Sequence, residues 1–427
     1  MPDVLFFIGN GYSFTDFHEF IILDLKGKCN VFLIIEENAY LSKKLMEKVK
    51  RLHRECYVKK YYLADLHASR SILINFRNCT ELLKQVSKEK IDLFFCGEEG
   101  SMIICFMMEY FKLKGTKVVS CEIIIRSILH IDYKKKTEGV FPGTTENESL
   151  GLKLWRKIKN KEFDEIYKYV VNFFLRTARI PRIKLQNVLG LHLIPLLLIR
   201  RSIKPTNKYM IGTKSDYLIV IDPLEFEGVK LLIPTAKKLY LAKHPVYEFC
   251  KNNHQKKTKL LLIIGNSNDD YKEKNIDRLI IVIEEIRRLK NPTQIHLRMH
   301  PREYLESKRK YLEQIFESKN IKYVVIDPVA NAITDDLCKY MGAVCTFSSA
   351  IRILRNGSPD MFIIGLADMT KGLFSHPWAM GSTEGVHWLR ERDSFKKEML
   401  NAPRLVKNEN PSISEIINDI LNENKAA

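Results

Sequence analysis

Short apolar runs alternate with longer amphipathic stretches through most of the chain. VLFFIGN near the start predicts a strand ending in the loop Gly9-Asn10-Gly11, and NVFLIIE predicts a second strand, followed by a helix over LSKKLMEKVKRL. IDLFFCG is a further apolar run, EEGSMIICFMMEYFKLKG a further helix, and TKVVSC the next strand, with Gly115 placed as a helix C-cap. Apolar strands separated by helices belong to parallel sheets covered on both faces. YLIVI and VKLLI predict the last strands of this half, and the polar, basic KNNHQKKTK (251–259) reads as an interdomain linker.

The second half repeats the pattern. LLLIIG predicts a strand that runs into the loop Asn266-Ser267-Asn268-Asp269-Asp270, and Asp270 with Glu273 resembles a capping box. A helix follows with Ile276, Leu279, Ile280, Ile283 and Ile286 on one face. Then come the strand QIHLRM, the loop His300-Pro301-Arg302, a helix, the strand YVVI, another helix and the strand AVCTF. Ser348-Ser349 opens the next helix, MFIIG is the next strand, and Ser412 to Asn424 reads as a closing helix. The predicted class is α/β, with two Rossmann-like domains facing a cleft. Residues 1–250 form the N-terminal domain, with a basic helical insertion over about 140–215, and residues 251–427 form the C-terminal one. Ligands are expected at the carboxyl ends of the strands.

Bulk properties narrow the classes. No stretch of the 427 residues reaches the ~20 apolar positions that a membrane span needs. The apolar N-terminus lacks a basic leading segment and a small-residue cleavage site, so it reads as a strand rather than a signal peptide. The nine cysteines form no CxxC pair and several sit inside strand-like runs, which predicts buried thiols in a reducing, cytoplasmic compartment. The net charge of +18 is concentrated: residues 151–214 carry 15 Lys/Arg against 3 Asp/Glu, a local +12. Such a stretch attracts polyanions, whether acidic glycans, nucleic acid or anionic lipid such as the inner face of a cytoplasmic membrane, or else forms a solvated helical face. Within it, VLGLHLIPLLLI (Val188 to Ile199) is too short to cross a bilayer; it suits either an interfacial or a buried position. No helix-turn-helix, zinc-finger or RNP pattern is present, so no nucleic-acid partner is expected. The Lys/Ile/Asn-rich composition suggests an AT-rich bacterial genome.

Two loops carry the candidate chemistry, and each follows a short apolar strand. Pro301 stops the strand and presents His300 at the sheet edge, where an imidazole can bind a phosphate and stabilise its departure. Arg298 and Arg302 flank it and can add phosphate contacts. Thr346, Ser348 and Ser349 lie where hydroxyls and free backbone N–H groups meet at a helix N-terminus, an arrangement suited to an anion. Gly265, Asn266 and Ser267 end the first strand of the same half and join this candidate nucleotide set. Glu98 and Glu99 follow IDLFFC and can act as general base, although they also suit the first turn of a helix. Glu122 ends the next strand and is a rival; Glu225 and Glu227 are more distant candidates. Gly9-Asn10-Gly11 can touch sugar or nucleotide, but it is not a GxGxxG dinucleotide fingerprint.

The HP motif in RMHPRE, the SS motif in TFSSA and the double α/β layout resemble bacterial sialyltransferases and polysialyltransferases of the GT-B fold. The resemblance covers short motifs and layout rather than continuous sequence. It implies an inverting transfer of sialic acid or a related nonulosonate from a CMP-sugar to a capsule or lipooligosaccharide glycan, without a metal or other cofactor. It further implies that His300 contacts the CMP phosphate, that Ser348 and Ser349 bind the same phosphate, and that the general base falls in Glu98-Glu99-Gly100. CDP-glycerol phosphotransferases and other GT-B nucleotide-sugar transferases share the pattern. A non-enzymatic basic protein that binds nucleic acid or membranes is the remaining alternative. The chain also holds His244-Pro245, just before the expected linker, and His376-Pro377, with no strand directly before it.

Overall fold

The computed structural model describes residues 1–9, 17–37, 43–66, 72–97, 102–122, 215–232, 238–247, 258–264, 273–298, 306–326, 333–335, 337–345, 350–358, 360–366, 386–389, 394–401 and 409–423. Strands β1 (Asp3–Ile8), β2 (Asn30–Glu36), β3 (Lys60–Ala64), β4 (Leu93–Cys96), β5 (Lys117–Glu122), β6 (Tyr217–Val220) and β7 (Lys238–Leu241) form one sheet. Their order is β3-β2-β1-β4-β5-β6-β7. Strands β8 (Leu260–Ile264), β9 (Gln294–Arg298), β10 (Tyr323–Ile326), β11 (Tyr340–Cys345), β12 (Phe362–Leu366) and β13 (His387–Leu389) form the other, in the order β10-β9-β8-β11-β12-β13. Every described pairing is parallel. Both sheets begin 3-2-1-4-5-6, the doubly wound order in which the chain reverses direction beside its first strand.

The central strands are apolar along their whole length because helices cover both faces. All four residues of β4 are buried, as are Val4 to Ile8 of β1. Helix α1 (Glu19–Asp24) is short, while α2 (Lys43–Arg54) buries Leu45, Val49 and Leu52, one stripe at four- and three-residue spacing. Helices α3 (Ile72–Val86) and α4 (Met102–Leu113) supply Leu82, Leu83, Phe106 and Phe111 to the core under β1, β2 and β4. Gly115 follows α4 with φ 81° and donates its N–H to Lys112 O at 3.0 Å, the left-handed helix end expected from the sequence. In the second sheet, α6 (Glu273–Lys290) buries Leu279, Ile280, Ile283 and Ile286. Helices α7 (Glu306–Ser318) and α8 (Ala350–Gly357) complete the alternation.

One expected strand is a helix. Residues 229–232 of VKLLI lie within α5 (Pro223–Leu232), Ile233 lies outside the described residues, and β7 is the next described strand. The reason is at the helix start: Asp222 Oδ1 accepts the Glu225 N–H at 3.3 Å, and Pro223 sits at the first helical position, where its missing N–H costs nothing. The edge strands β3 and β13, absent from the apolar pattern, are partly exposed.

The chain divides into two compact units. The first comprises Met1–Ser13, Ile22–Ala242 and Ser414–Ala427; the second comprises Phe14–Ile21 and Lys243–Ile413. The main crossing therefore lies before residue 250, and two short segments belong to the unit distant in sequence. In the second unit, Phe17 packs its ring 5.7 Å from that of His244, and Phe20 is buried with Val246, Leu262 and Ile264. In the first, the closing helix α9 (Ile413–Asn422) is held by side chains of the sheet. Tyr217 Oη donates to Glu423 Oε2 at 2.7 Å, Lys238 Nζ lies 2.8 Å from Glu423 Oε1, and Lys117 Nζ donates to Ile420 O.

Candidate functional site

In the second unit, the strands that lead into the candidate nucleotide loops are immediate neighbours. Ile264 of β8 pairs with Arg298 of β9 on one side and with Cys345 of β11 on the other. These are the last residues of their strands, so three chain segments leave the same sheet edge within about 10 Å, two strand spacings. The reversal of strand order falls at β8 and β11, where open α/β sheets bind ligands. Arg298 is 9% exposed. Helix α8 begins at Ala350, the residue after Ser349. His300, Pro301, Arg302, Thr346, Ser348, Ser349, Gly265, Asn266 and Ser267 lie outside the described residues.

In the first unit, the corresponding edge carries carboxylates. Gly9 follows β1, and Glu122 ends β5 in register with Val220, its side chain outside the described residues. Glu98, Glu99, Gly100, Asn10 and Gly11 lie outside them as well. Among the more distant candidates, Glu225 is 0% exposed in the first turn of α5, whose cap is Asp222. Glu227 is exposed and pairs with Lys230 at 3.1 Å, a surface bridge one helical turn apart.

Sequence reasoning missed Glu36. It is the last residue of β2, and Ile35 before it pairs with Ile8, which places Glu36 level with Gly9. A Cβ built on Gly9 would lie 3.3 Å from Glu36 Oε2 and 3.4 Å from Phe7 Cε1. Burial, and then the neighbouring charge of Glu37, push the Glu36 carboxyl up to about 7. The strand pattern NVFLIIE contained the only available signal, a carboxylate ending an otherwise apolar strand.

His244-Pro245 is a packing element. His244 is 2% exposed and its Nδ1 accepts the Val246 N–H at 3.2 Å. His376-Pro377 lies outside the described residues, as does the whole basic stretch 151–214. Of the cysteines, Cys29, Cys79, Cys96, Cys105, Cys121 and Cys345 are buried free thiols. Burial pushes the Cys345 thiol up to about 12, which leaves it inert at neutral pH. Cys56 departs from the expectation: it is exposed in a turn, with φ 60°. No helix of the described residues is long and apolar enough to cross a membrane.

Neither a protein-family model nor a curated protein matches the chain by sequence. By structure it is similar to the UDP-GlcNAc 2-epimerase from Methanocaldococcus jannaschii, with a TM-score of 0.55, 13% identity and 100% of each chain covered. It is also similar to a UDP-N-acetylglucosamine 2-epimerase at TM-score 0.53 and 10% identity, covering 100% of this chain and 97% of that one. At these identities the likeness is one of fold. With the two parallel sheets of seven and six strands, it gives an architecture of two Rossmann-like domains, the GT-B type.

Proposed function

We propose that the protein is an inverting nucleotide-sugar transferase that uses a CMP-sugar, sialic acid or a related nonulosonate being the sugar moved to an acidic glycan of a capsule or lipooligosaccharide. The observation that carries this reading is the alignment of Ile264, Arg298 and Cys345, from which the segments with Gly265-Asn266-Ser267, His300-Pro301-Arg302 and Thr346 to Ser349 issue at one sheet edge. A histidine, two arginines and paired hydroxyls before a helix N-terminus together make a phosphate site.

In the proposed reaction an acceptor hydroxyl attacks the anomeric carbon as the bond to the CMP phosphate breaks. The electron pair of that bond leaves with CMP. His300 and the Ser348-Ser349 segment stabilise the charge that develops on the phosphate, with Arg298 and Arg302 as further contacts. A carboxylate takes the hydroxyl proton, Glu99, Glu98 and Glu122 being the sequence candidates. The basic 151–214 stretch serves an acidic acceptor or holds the protein at the anionic inner face of a cytoplasmic membrane. A CDP-glycerol phosphotransferase would use the same nucleotide edge with a different donor.

Nucleotide-induced stabilisation tests the site. CMP is expected to raise the melting temperature of the wild type, and His300→Ala is expected to reduce the rise. A larger rise with UDP than with CMP would keep a nucleotide site and move the donor class. No rise with any nucleotide would contradict the reading.

A further inference from the structure

We propose that the first unit carries a docking face for an anionic lipid surface, formed by the outer side of α2 together with residues 24–28 and 55–60. The partner is a bilayer containing acidic phospholipid headgroups. The face is separate in sequence from the basic 151–214 stretch, and the proposal does not depend on the transferase reading.

Residues 24–28 and 43–60 hold ten Lys/Arg against three Asp/Glu, a local +7. Helix α2 turns Leu45, Val49 and Leu52 to the sheet and leaves Lys43, Lys50, Arg51 and Arg54 exposed on the other side. Lys59 and Lys60 are exposed where the chain enters β3, and Lys26 and Lys28 in the turn before β2. The two segments touch, since the Lys26 ammonium lies 3.9 Å from the centre of the Tyr57 ring. Two of these cations are already neutralised, Lys28 by Asp24 at 3.4 Å and Lys60 by Glu89 at 3.0 Å. Lys26, Lys50, Arg54 and Lys59 form no ion pair among the described residues. Lys50 and Arg54 stand one helical turn apart and repel each other, a cost that a bound anion removes.

The groups beside the cations favour a lipid surface over another polyanion. On the edge strand β3, Tyr61 packs its ring 5.7 Å from that of His53 of α2, and Leu63, two residues along the same face, is 52% exposed. Tyr57 and Tyr61 are half-buried. Tyrosine rings and a leucine set among lysines suit the headgroup boundary of a bilayer, where the apolar groups gain by leaving water and the cations by the negative surface potential. A nucleic acid backbone would engage the cations and leave Leu63 in water. The face is bounded by α9, whose Asn418 lies against Cys29 and whose Glu415 and Asp419 are exposed.

The test is cosedimentation of the full chain with vesicles of phosphatidylcholine alone, or with phosphatidylglycerol as roughly a third of the lipid. Wild type is expected to bind the mixed vesicles, to leave them as salt is raised, and to bind pure phosphatidylcholine far more weakly. Each Lys or Arg near such a surface strengthens binding by about five-fold, so Lys50→Gln/Arg54→Gln/Lys59→Gln should weaken it by about 10²-fold. Leu63→Ser should weaken vesicle binding by about ten-fold and leave retention on heparin unchanged. Lys290→Gln/Lys310→Gln/Lys322→Gln removes the same charge from exposed positions of the second unit and should cost less than about three-fold. Melting midpoints near that of the wild type confirm that each variant is folded. Equal losses in the two triple variants would mean that bulk charge, not this face, binds the lipid, and would overturn the proposal. So would a wild type indifferent to phosphatidylglycerol, or vesicle binding that survives the first triple variant while binding to single-stranded RNA is lost.

Discussion

Replacing Glu36 with glutamine removes a carboxyl that the folded chain keeps protonated well above its ordinary range. The consequence for stability follows from linkage. Below pH 4.5, the group's ordinary value, the carboxyl carries its proton in both the folded and the unfolded chain and contributes no difference. Between 4.5 and about 7 the unfolded chain releases that proton while the folded chain holds it, so stability falls as pH rises. Above about 7 both are ionised, and the folded chain bears the full cost of a buried charge beside Glu37. At about 1.4 kcal/mol per pH unit, the interval from 4.5 to about 7 corresponds to roughly 3 kcal/mol. Glu36 is only partly buried, and solvent screening cuts this to about 1.5–2 kcal/mol. Glutamine never ionises, so Glu36→Gln should match the wild type near pH 4.5 and exceed it near pH 8. The two-unit chain does not license a single unfolding free energy, so the readout is a melting midpoint followed across pH. At ~2–4 °C per kcal/mol for a unit of this size, the gain near pH 8 is about 3–8 °C. A difference that does not change with pH, or a variant less stable near pH 8, would refute the reasoning.

Other consequences can be measured independently. Glu423→Ala should free α9 from the first unit at a cost of about 1 kcal/mol, chiefly the Tyr217 hydroxyl bond at 2.7 Å, and hydrogen exchange in residues 413–422 should rise. Glu423→Gln, which still accepts that bond, should recover most of the protection. Gly365→Ala would place its Cβ 2.3 Å from Trp388 Cε3, so the indole must shift, at about 1–3 kcal/mol read as a lower melting midpoint. A chelator such as EDTA should leave transferase turnover unchanged, because histidine, arginine and helix N–H groups are proposed to stabilise the leaving phosphate; loss of turnover with recovery on adding magnesium would contradict this.

Much of the fold was legible because parallel strands covered on both faces must be apolar throughout. VLFFI, LFFC and LLLII announce themselves for that reason, and so does the stripe of Leu279, Ile280, Ile283 and Ile286. Edge strands carry no such signal: β3 is exposed at Lys60 and Leu63 and buried at Tyr62 and Ala64. VKLLI misled because its short apolar run suits either state, and the deciding feature was the Asp222-Pro223 start seven residues earlier. The helix over 413–422 was readable as a helix, but not its attachment. The apolar stripe specifies burial without an address, and the address is written in long-range contacts to Tyr217, Lys238 and Lys117. The strands that lead into the candidate loops were legible as apolar runs, but that Ile264, Arg298 and Cys345 are register neighbours required the strand order, which local pattern does not encode. Glu36 was passed over because a terminal glutamate on a strand looks like an ordinary solvated end; only its register beside Gly9 and its burial distinguish it.

The most direct test of the central claim is CMP release from CMP-sialic acid, measured for wild type beside His300→Ala and a Ser348→Ala/Ser349→Ala double variant, with CDP-glycerol and UDP-GlcNAc as parallel donors. The account expects turnover with CMP-sialic acid and a loss of about 10²-fold or more in each folded variant. Wild-type turnover in His300→Ala, or activity confined to another donor, would contradict it.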